Sequence, residues 1–132
     1  MKTWYIVLMI AFIVTVAASA ATQSSGTVPK YDLATESTFS GTIVDISERI
    51  CPVSGGMGFH IILKLQNQET IEVHVATTKL MKAYDMTLNK GDQVEVVGSM
   101  VRFEGKETIF ARKVSRGNET FTFRDPTGNP VW

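Results

Sequence analysis

The sequence predicts an all-β protein, a five-stranded Greek-key barrel with one short helix between its third and fourth strands. Three observations predict it: five runs rich in β-branched and aromatic residues, one segment of helical spacing after the third run, and glycines inside the two longest runs. The chain has 132 residues, 44% of them hydrophobic, and no net formal charge. This length and composition fit one folded domain and exclude a disordered chain.

The five predicted strands follow one another from residue 36 onwards. They span residues 36–49, 59–66, 70–75, 93–103 and 108–115, and a short tail strand is predicted over 120–124. Gly41 and Gly98 lie inside the first and fourth runs and predict a bulge or bend there. The hydrophobic alternation of the first run also changes phase. A long, bent first strand is typical of a closed barrel, because that strand serves both halves.

One segment favours a helix. Residues 79–86 contain no β-branched residue and place Leu80, Ala83 and Tyr84 at helical spacing. A turn cluster over residues 89–92 then precedes the fourth strand. Three strands, a helix and two more strands are the order of the OB-fold.

The N-terminal segment is typical of an exported protein. A basic start, an uncharged run from Trp4 to Ala18 and small residues at Ala18 and Ala20 predict a signal peptide over residues 1–20. The alternative is an uncleaved membrane anchor, but the run is shorter than the roughly 20 residues that span a bilayer. We predict a flexible tether over residues 21–35, the OB-fold-like domain over residues 36–132, and a periplasmic or secreted location.

Six stretches carry a resemblance to a known group of proteins. They are SGTIVDIS (40–47), GMGFHIILKL (56–65), IEVHV (71–75), KGDQVEVVGSMV (90–101), ARKV (111–114) and TFRDPTGNPVW (122–132). The chain resembles small exported bacterial OB-fold-like proteins, most specifically in pairing GxH with VHV and in its RDxxGxPxW end. Many of those proteins have Gly-Pro where residues 76–78 are Ala-Thr-Thr here. The resemblance implies a binding domain and names no ligand.

The second and third strands place both histidines of the chain on one face. Alternate positions of these strands are apolar, namely Phe59, Ile61, Leu63, Leu65, Ile71, Val73 and Val75. Both apolar sets must face the core, which requires a three-residue loop, predicted over residues 67–69. This register places Ile62 opposite His74 and makes His60 and His74 diagonal neighbours on the exposed outer face. That face is the usual ligand surface of OB-folds.

Two imidazoles on one face predict a binding site for a metal ion or a small ligand. Lys64 and Glu72 flank them as polar groups, and Cys51 and Met57 on the preceding loop, residues 50–58, add possible metal ligands. Imidazole binds zinc, copper and nickel, and a thiol with a thioether favours copper, so a copper or zinc ion is a candidate, while the sequence leaves the cofactor unknown. The alternatives are two solvated histidines and a flexible loop with Cys51 as a small buried hydrophobe.

A second candidate surface is basic. It comprises Arg102, Lys106, Arg112, Lys113, Arg116 and Arg124, with four phenylalanines nearby. Such a set is able to bind an oligonucleotide, but interleaved carboxylates and zero net charge favour an ordinary mixed-charge surface and make nucleic acid an unlikely partner. Residues 124–132 read as a turn, and we expect Trp132 to close one end of the barrel.

The sequence contains no catalytic motif, so we predict a binding protein rather than an enzyme. We expect an exported periplasmic OB-fold protein that binds a metal ion or small ligand on the outer face of strands two and three. The alternative is a protein- or oligonucleotide-binding OB module without metal. The expected partners are therefore a small ligand, a metal ion or another periplasmic protein, with membrane contact only through an uncleaved N-terminal segment.

Overall fold

The computed structural model of the chain describes residues 27–132. Its elements are a 3-10 helix (Leu33–Thr35), β1 (Glu36–Cys51), β2 (Gly56–Leu65), β3 (Thr70–Thr77), α1 (Thr78–Ala83), β4 (Gln93–Phe103), β5 (Lys106–Arg116) and β6 (Glu119–Thr122). The predicted signal peptide, residues 1–20, lies outside the described residues. Within the described part, no helix is long and apolar enough to cross a membrane.

The strands form one closed sheet. Their order is β3-β2-β1-β4-β5-β6, and an additional pairing of β3 with β5 closes the ring. That closing pair is parallel, whereas the other strand pairs are antiparallel. The predicted five-stranded, OB-fold-like Greek-key barrel with a helix between strands three and four is confirmed. The sixth strand extends the edge of β5.

The barrel is filled by apolar side chains from each of its five strands. Five that are almost fully buried are Ile43, Leu63, Val73, Val96 and Ile109. Each contributes roughly 1.5–3 kcal/mol by leaving water. Helix α1 packs against β2 and β3 and buries Met81 in the same core. The core therefore lies on the inner face of β2 and β3, opposite the face that carries the histidines.

Strand β1 serves both halves of the barrel, as its length and composition predict. Its first part pairs with β4 and its second part with β2. The register shifts at Val44, between Ile43 and Asp45, and not at Gly41 as predicted. Gly41 is required for another reason, because a Cβ atom there would collide with the backbone of Lys64.

The loop between β2 and β3 differs from its prediction by one residue. Counted from the hydrogen-bonded pair Leu65 and Glu69, it has three residues, as the pairing of odd with odd positions requires, but they are residues 66–68. The backbone N–H of Leu65 donates to the carbonyl of Glu69 at 2.8 Å, which closes the loop. Gln68 adopts a left-handed conformation with φ of 71°, a common last step of three-residue hairpin loops. The strand register is consequently shifted by two residues from the predicted one.

The predicted tether is partly folded. Val28 and Tyr31 pack against a second apolar cluster on the outer face of the barrel, formed by Val101, Phe103 and Phe110. The Tyr31 hydroxyl also donates to a Glu36 carboxylate oxygen at 2.7 Å. The part of the predicted tether from residue 28 onwards therefore belongs to the domain.

Candidate metal centre

His60 and His74 face each other across β2 and β3. They are direct cross-strand partners, with ring centroids 4.2 Å apart, where the sequence predicted diagonal neighbours. They share one face of the hairpin, as predicted, but the prediction that this face is exposed is wrong. His60 is 1% exposed and His74 6% exposed. The outer apolar cluster covers them, with the rings of Phe103 and Phe110 centred 5.5 Å and 5.4 Å from His74.

Cys51 joins the two histidines. One ligand atom from each of the three residues lies within 4.8 Å of the other two, and all three residues are buried. The Cys51 Sγ is 3.5 Å from His74 Nδ1. The loop predicted over residues 50–58 is instead mostly a hairpin, because β1 reaches Cys51 and β2 starts at Gly56. This strand end, rather than a loop, positions the thiol.

Gly58 leaves room for the third donor atom. A Cβ atom added there would lie 2.9 Å from His60 Nε2 and 3.2 Å from the Cys51 Cβ. The free edge of the His60 ring therefore faces the same space as the cysteine side chain. A glycine at this position keeps that space open.

Glu72 contacts both imidazoles at ring nitrogens other than those nearest Cys51 and Gly58. Its Oε1 atom lies 3.1 Å from His60 Nδ1 and 3.6 Å from His74 Nε2. Lys106 donates to Oε2 at 2.7 Å, and Arg49 donates to Oε1. Glu72 is itself buried, so these two cations compensate a carboxylate that would otherwise be costly to bury.

The pKa shifts keep the carboxylate charged and the imidazoles neutral. Burial raises the pKa of Glu72, but the hydrogen bonds from Lys106 and Arg49 outweigh it and bring the pKa to about 2. Burial, and then repulsion between the protonated forms of the two rings, lower the pKa of His74 to about 3. Burial, and then Arg49, also lower the pKa of His60.

These protonation states define the free lone pairs. An ionised carboxylate only accepts hydrogen bonds, so His60 must donate to Glu72 through Nδ1–H. A neutral imidazole carries one proton, which leaves a lone pair on His60 Nε2. That atom is the one facing Cys51 and Gly58. The arrangement matches the carboxylate–histidine pairs that orient metal ligands in proteins.

The space beside the histidines is small. Its volume is about 10 Å³, and Val53, Ser54, Gly58 and Trp132 are among the residues that line it. This is close to the least volume that holds one water molecule. A drug-sized organic ligand needs roughly 300–1,000 Å³. This adjoining space is therefore too small for such a molecule.

Comparison with known proteins places the chain in a family. The family model for MamS/MamX magnetosome proteins matches residues 35–121. The chain belongs to the MamS/MamX magnetosome protein family. This agrees with the predicted membership of a small OB-like family, while the specific sequence pattern of that resemblance stays a prediction. The matched MamS/MamX region contains Cys51, His60, Glu72 and His74, so the whole donor set lies within it.

A solved structure is similar to this MamS/MamX protein in fold. It is the dimeric N-terminal domain of the PriB protein from Thermoanaerobacter tencongensis, with 19% identity and a TM-score of 0.51. The match covers 65% of this chain and 99% of that one. It supports the barrel fold alone. No curated protein matches the chain.

Two of the predicted site residues lie apart from the cluster in this MamS/MamX protein. Lys64 is exposed and lines an open polar groove together with Gln93 and Glu95. Met57 is 47% exposed and is the cross-strand partner of Ile50. Neither residue is among those that line the small space beside the histidines.

Sequence reasoning missed the two cations that hold Glu72. Arg49 lies two residues before Cys51, so it shares a strand face with the thiol, and this spacing was an available signal. Lys106 reaches Glu72 because β5 pairs with β3 in parallel. This pairing joins distant parts of the chain, so it could not be predicted from the local sequence. Other members of the predicted basic set are engaged elsewhere. Arg112 pairs with Glu36, Arg116 pairs with Asp92 and Glu119, and Arg124 stacks on Tyr31, Phe110 and Trp132.

Proposed function

We propose that the protein is an exported OB-fold protein that binds one transition-metal ion through Cys51, His60 and His74. The observation that carries the proposal is the convergence of these three buried donors. Thiolate and neutral imidazole are the ligands that zinc and copper take in proteins. The role is binding, and we assign no reaction to the site.

The spacing of the donors supports a single shared ion. Zinc–sulfur and zinc–nitrogen bonds are about 2.3 Å and 2.0 Å long, so two donors on one ion lie roughly 3.3–4 Å apart. The 3.5 Å between Cys51 Sγ and His74 Nδ1 falls in that range. The small adjoining volume also favours an ion over an organic ligand.

The hydrogen bonding of Glu72 to the histidines also supports the proposal. Metal-binding histidines usually donate their second N–H to a carboxylate, which fixes the ring and its tautomer. Glu72 lies within hydrogen-bonding distance of His60 Nδ1 and near His74 Nε2.

Metal titration tests the proposal. Zn²⁺ and Cu²⁺ are titrated against the purified protein, produced from the full chain, and against the H60A/H74A double variant. We expect one ion per wild-type chain, a rise in unfolding temperature on binding, and loss of both in the variant. Met57→Ala and Lys64→Ala are the controls, because both residues lie apart from the cluster, and they should bind as the wild type does.

Equal affinity of the wild type and the double variant for both ions would end the proposal. Because both histidines are buried, circular dichroism must show that the variant is folded. Cys51→Ser, which keeps the size of the side chain, serves as the second test of the same ligand set.

We propose export on the strength of the N-terminal sequence. A basic start, an uncharged run and small residues before Ala21 are what signal peptidase recognises. We place the mature protein in the periplasm or outside the cell, and the family's description suggests the magnetosome as the alternative location. N-terminal sequencing of protein from fractionated cells tests this, and a chain that keeps Met1 in the cytoplasmic fraction would contradict it.

A further inference from the structure

We propose that Ser54 holds a water molecule in the small space beside His60 and His74, and that this water is the fourth ligand of the bound ion. The inference rests on the proposed function, since it completes the ligand set that Cys51 and the two histidines begin. It does not choose between zinc and copper. Two features of the described residues carry it, namely the size and polarity of the space and the position of the Ser54 hydroxyl.

The space beside the histidines has the size of one water molecule. Its volume is about 10 Å³, at the lower end of the roughly 10–15 Å³ that a single water needs, together with two to four polar partners. An ion held by the histidines supplies one partner. The other lining side chains with a polar atom are those of Ser54 and Trp132. The tryptophan N–H only donates, so Ser54 is the lining side chain that is able to accept a hydrogen bond from a water on the ion.

The Ser54 hydroxyl and the free nitrogen of His60 border the same region. Ser54 lies in the turn between β1 and β2, three residues after Cys51. Its Oγ atom is 2.7 Å, and His60 Nε2 is 2.9 Å, from the position that a Cβ atom at Gly58 would take. A water in this region therefore lies within reach of an ion on His60 and of the hydroxyl.

Two backbone carbonyls orient the Ser54 hydroxyl. Its Oγ atom lies 3.2 Å from the carbonyl oxygen of Cys51 and 3.3 Å from that of Gly56. A hydroxyl has one hydrogen to donate and two lone pairs that accept. Because its hydrogen is directed at these carbonyls, its lone pairs are left for a second partner. A water bound to a cation points its hydrogens away from the ion, so it donates where Ser54 accepts.

A water in the fourth position fits the chemistry of the ligand set. Zinc sites with three protein ligands usually take water as the fourth, and hydrogen-bonding partners outside the ligand set orient the ligands. Ser54 is thus a positioning residue, since it contacts the fourth ligand and not the ion. The volume of the space excludes a fourth ligand much larger than water.

Loading the purified full chain with Zn²⁺ or Co²⁺ tests the inference. X-ray absorption of the zinc form should give one sulfur and three nitrogen or oxygen neighbours. Electron–nuclear double resonance of the cobalt form in ¹⁷O-enriched water should show a directly bound, exchangeable oxygen. Ser54→Ala should weaken that oxygen signal and lower the Zn²⁺ affinity by roughly 10–100-fold, as loss of an outer-shell partner does.

Two variants serve as controls for Ser54→Ala. Ser54→Thr keeps the hydroxyl and should retain both the oxygen signal and the affinity. Ser40→Ala should bind as the wild type does, because Ser40 is exposed and lines the separate polar groove.

The outcomes separate the inference from the proposed function. One sulfur with only two nitrogen neighbours in the zinc form, or no bound ¹⁷O in the cobalt form, would overturn the inference and leave a metal-binding protein. An unchanged oxygen signal in Ser54→Ala, or equal losses in Ser54→Ala and Ser54→Thr, would overturn the role of Ser54. If the wild type binds Zn²⁺ and Co²⁺ no more tightly than the H60A/H74A variant does, the proposed function fails and the inference fails with it.

Discussion

A single carboxylate organises the candidate metal centre. Glu72 is buried, accepts hydrogen bonds from two cations, and presents one oxygen to both imidazoles. Without Arg49 and Lys106 its burial would raise its pKa, and a protonated Glu72 would no longer fix His60 as a donor through Nδ1. The lone pair of His60 that faces Cys51 therefore depends on residues that do not touch the proposed ion.

Gly58 gives a test at the scale of one residue. In Gly58→Ala the new methyl group would lie 2.7 Å from Ser54 Oγ and 2.9 Å from His60 Nε2, so both side chains must shift, and the ring must leave the position from which we propose that it binds the ion. Because side chains move rather than the backbone, we expect the fold to survive. Metal affinity should fall by roughly 10–100-fold, comparable to the loss of an outer-shell partner, as isothermal titration would measure.

The same strand, β2, offers a matched control two residues away. A Cβ atom at Gly56 would meet no atom within 4 Å, so Gly56→Ala should bind metal as the wild type does. Unchanged affinity in Gly58→Ala would mean that His60 Nε2 is not a ligand.

At the scale of elements, helix α1 depends on its first hydrogen bond. The Thr77 side-chain oxygen accepts from the backbone N–H of Leu80 at 3.1 Å and caps the helix. Thr77→Ala should lower the free energy of unfolding by about 0.5–2 kcal/mol, measured by urea denaturation. Thr77→Ser keeps the hydroxyl and should lose much less. Equal losses in the two variants would show that the hydroxyl is not what stabilises this helix start.

The sequence predicts the elements better than their register. Residues 93–103 were predicted as a strand and form β4 with the same bounds, because a turn cluster and alternating valines mark them. The register of β2 and β3 was wrong by two residues, because it depends on Gln68 adopting a left-handed conformation that is unusual for this residue type. A shift of two residues leaves each side chain on the same face of its strand, so His60 and His74 were correctly predicted to share one face.

Burial of the site was beyond sequence reasoning. The cover over the histidines comes from Phe103 and Phe110 on β4 and β5. These strands are far from His74 in the sequence, and the hydrophobic pattern of a strand does not show which neighbouring residues its outer face covers. The sequence nevertheless predicted Cys51, His60 and Glu72 as site residues. The two strand residues share a face by alternation, and the cysteine is a metal-ligand type on the preceding loop.

At the scale of the whole molecule, an ion pair fastens the start of β1 to β5. Arg112 donates to both carboxylate oxygens of Glu36, at 2.9 Å through Nε and 2.5 Å through Nη2. The Tyr31 hydroxyl donates to the same carboxylate. The segment that precedes the barrel is thereby tied to it.

This ion pair predicts a pH dependence of stability. The Arg112 hydrogen bond holds the pKa of Glu36 below its usual 4.5, although burial opposes the shift. Because the folded pKa is lowered, the contribution is complete above the unfolded pKa and disappears as the pH falls through the folded pKa. Unfolding temperatures of the wild type and Glu36→Gln should therefore converge on acidification below about pH 4.5. A gap that stays constant would refute this assignment.

The origin of the donors in three paired strands has a kinetic consequence. Cys51 ends β1, His60 lies in β2 and His74 in β3, so strand pairing alone brings the three candidate ligands together. The same pairing bars direct diffusion to the sulfur and nitrogen atoms. Loading and release must then await transient separation of the β1–β2 hairpin near Val53 and Ser54, which line the adjoining space. The residence time of the proposed ion would then follow the rate of that local opening.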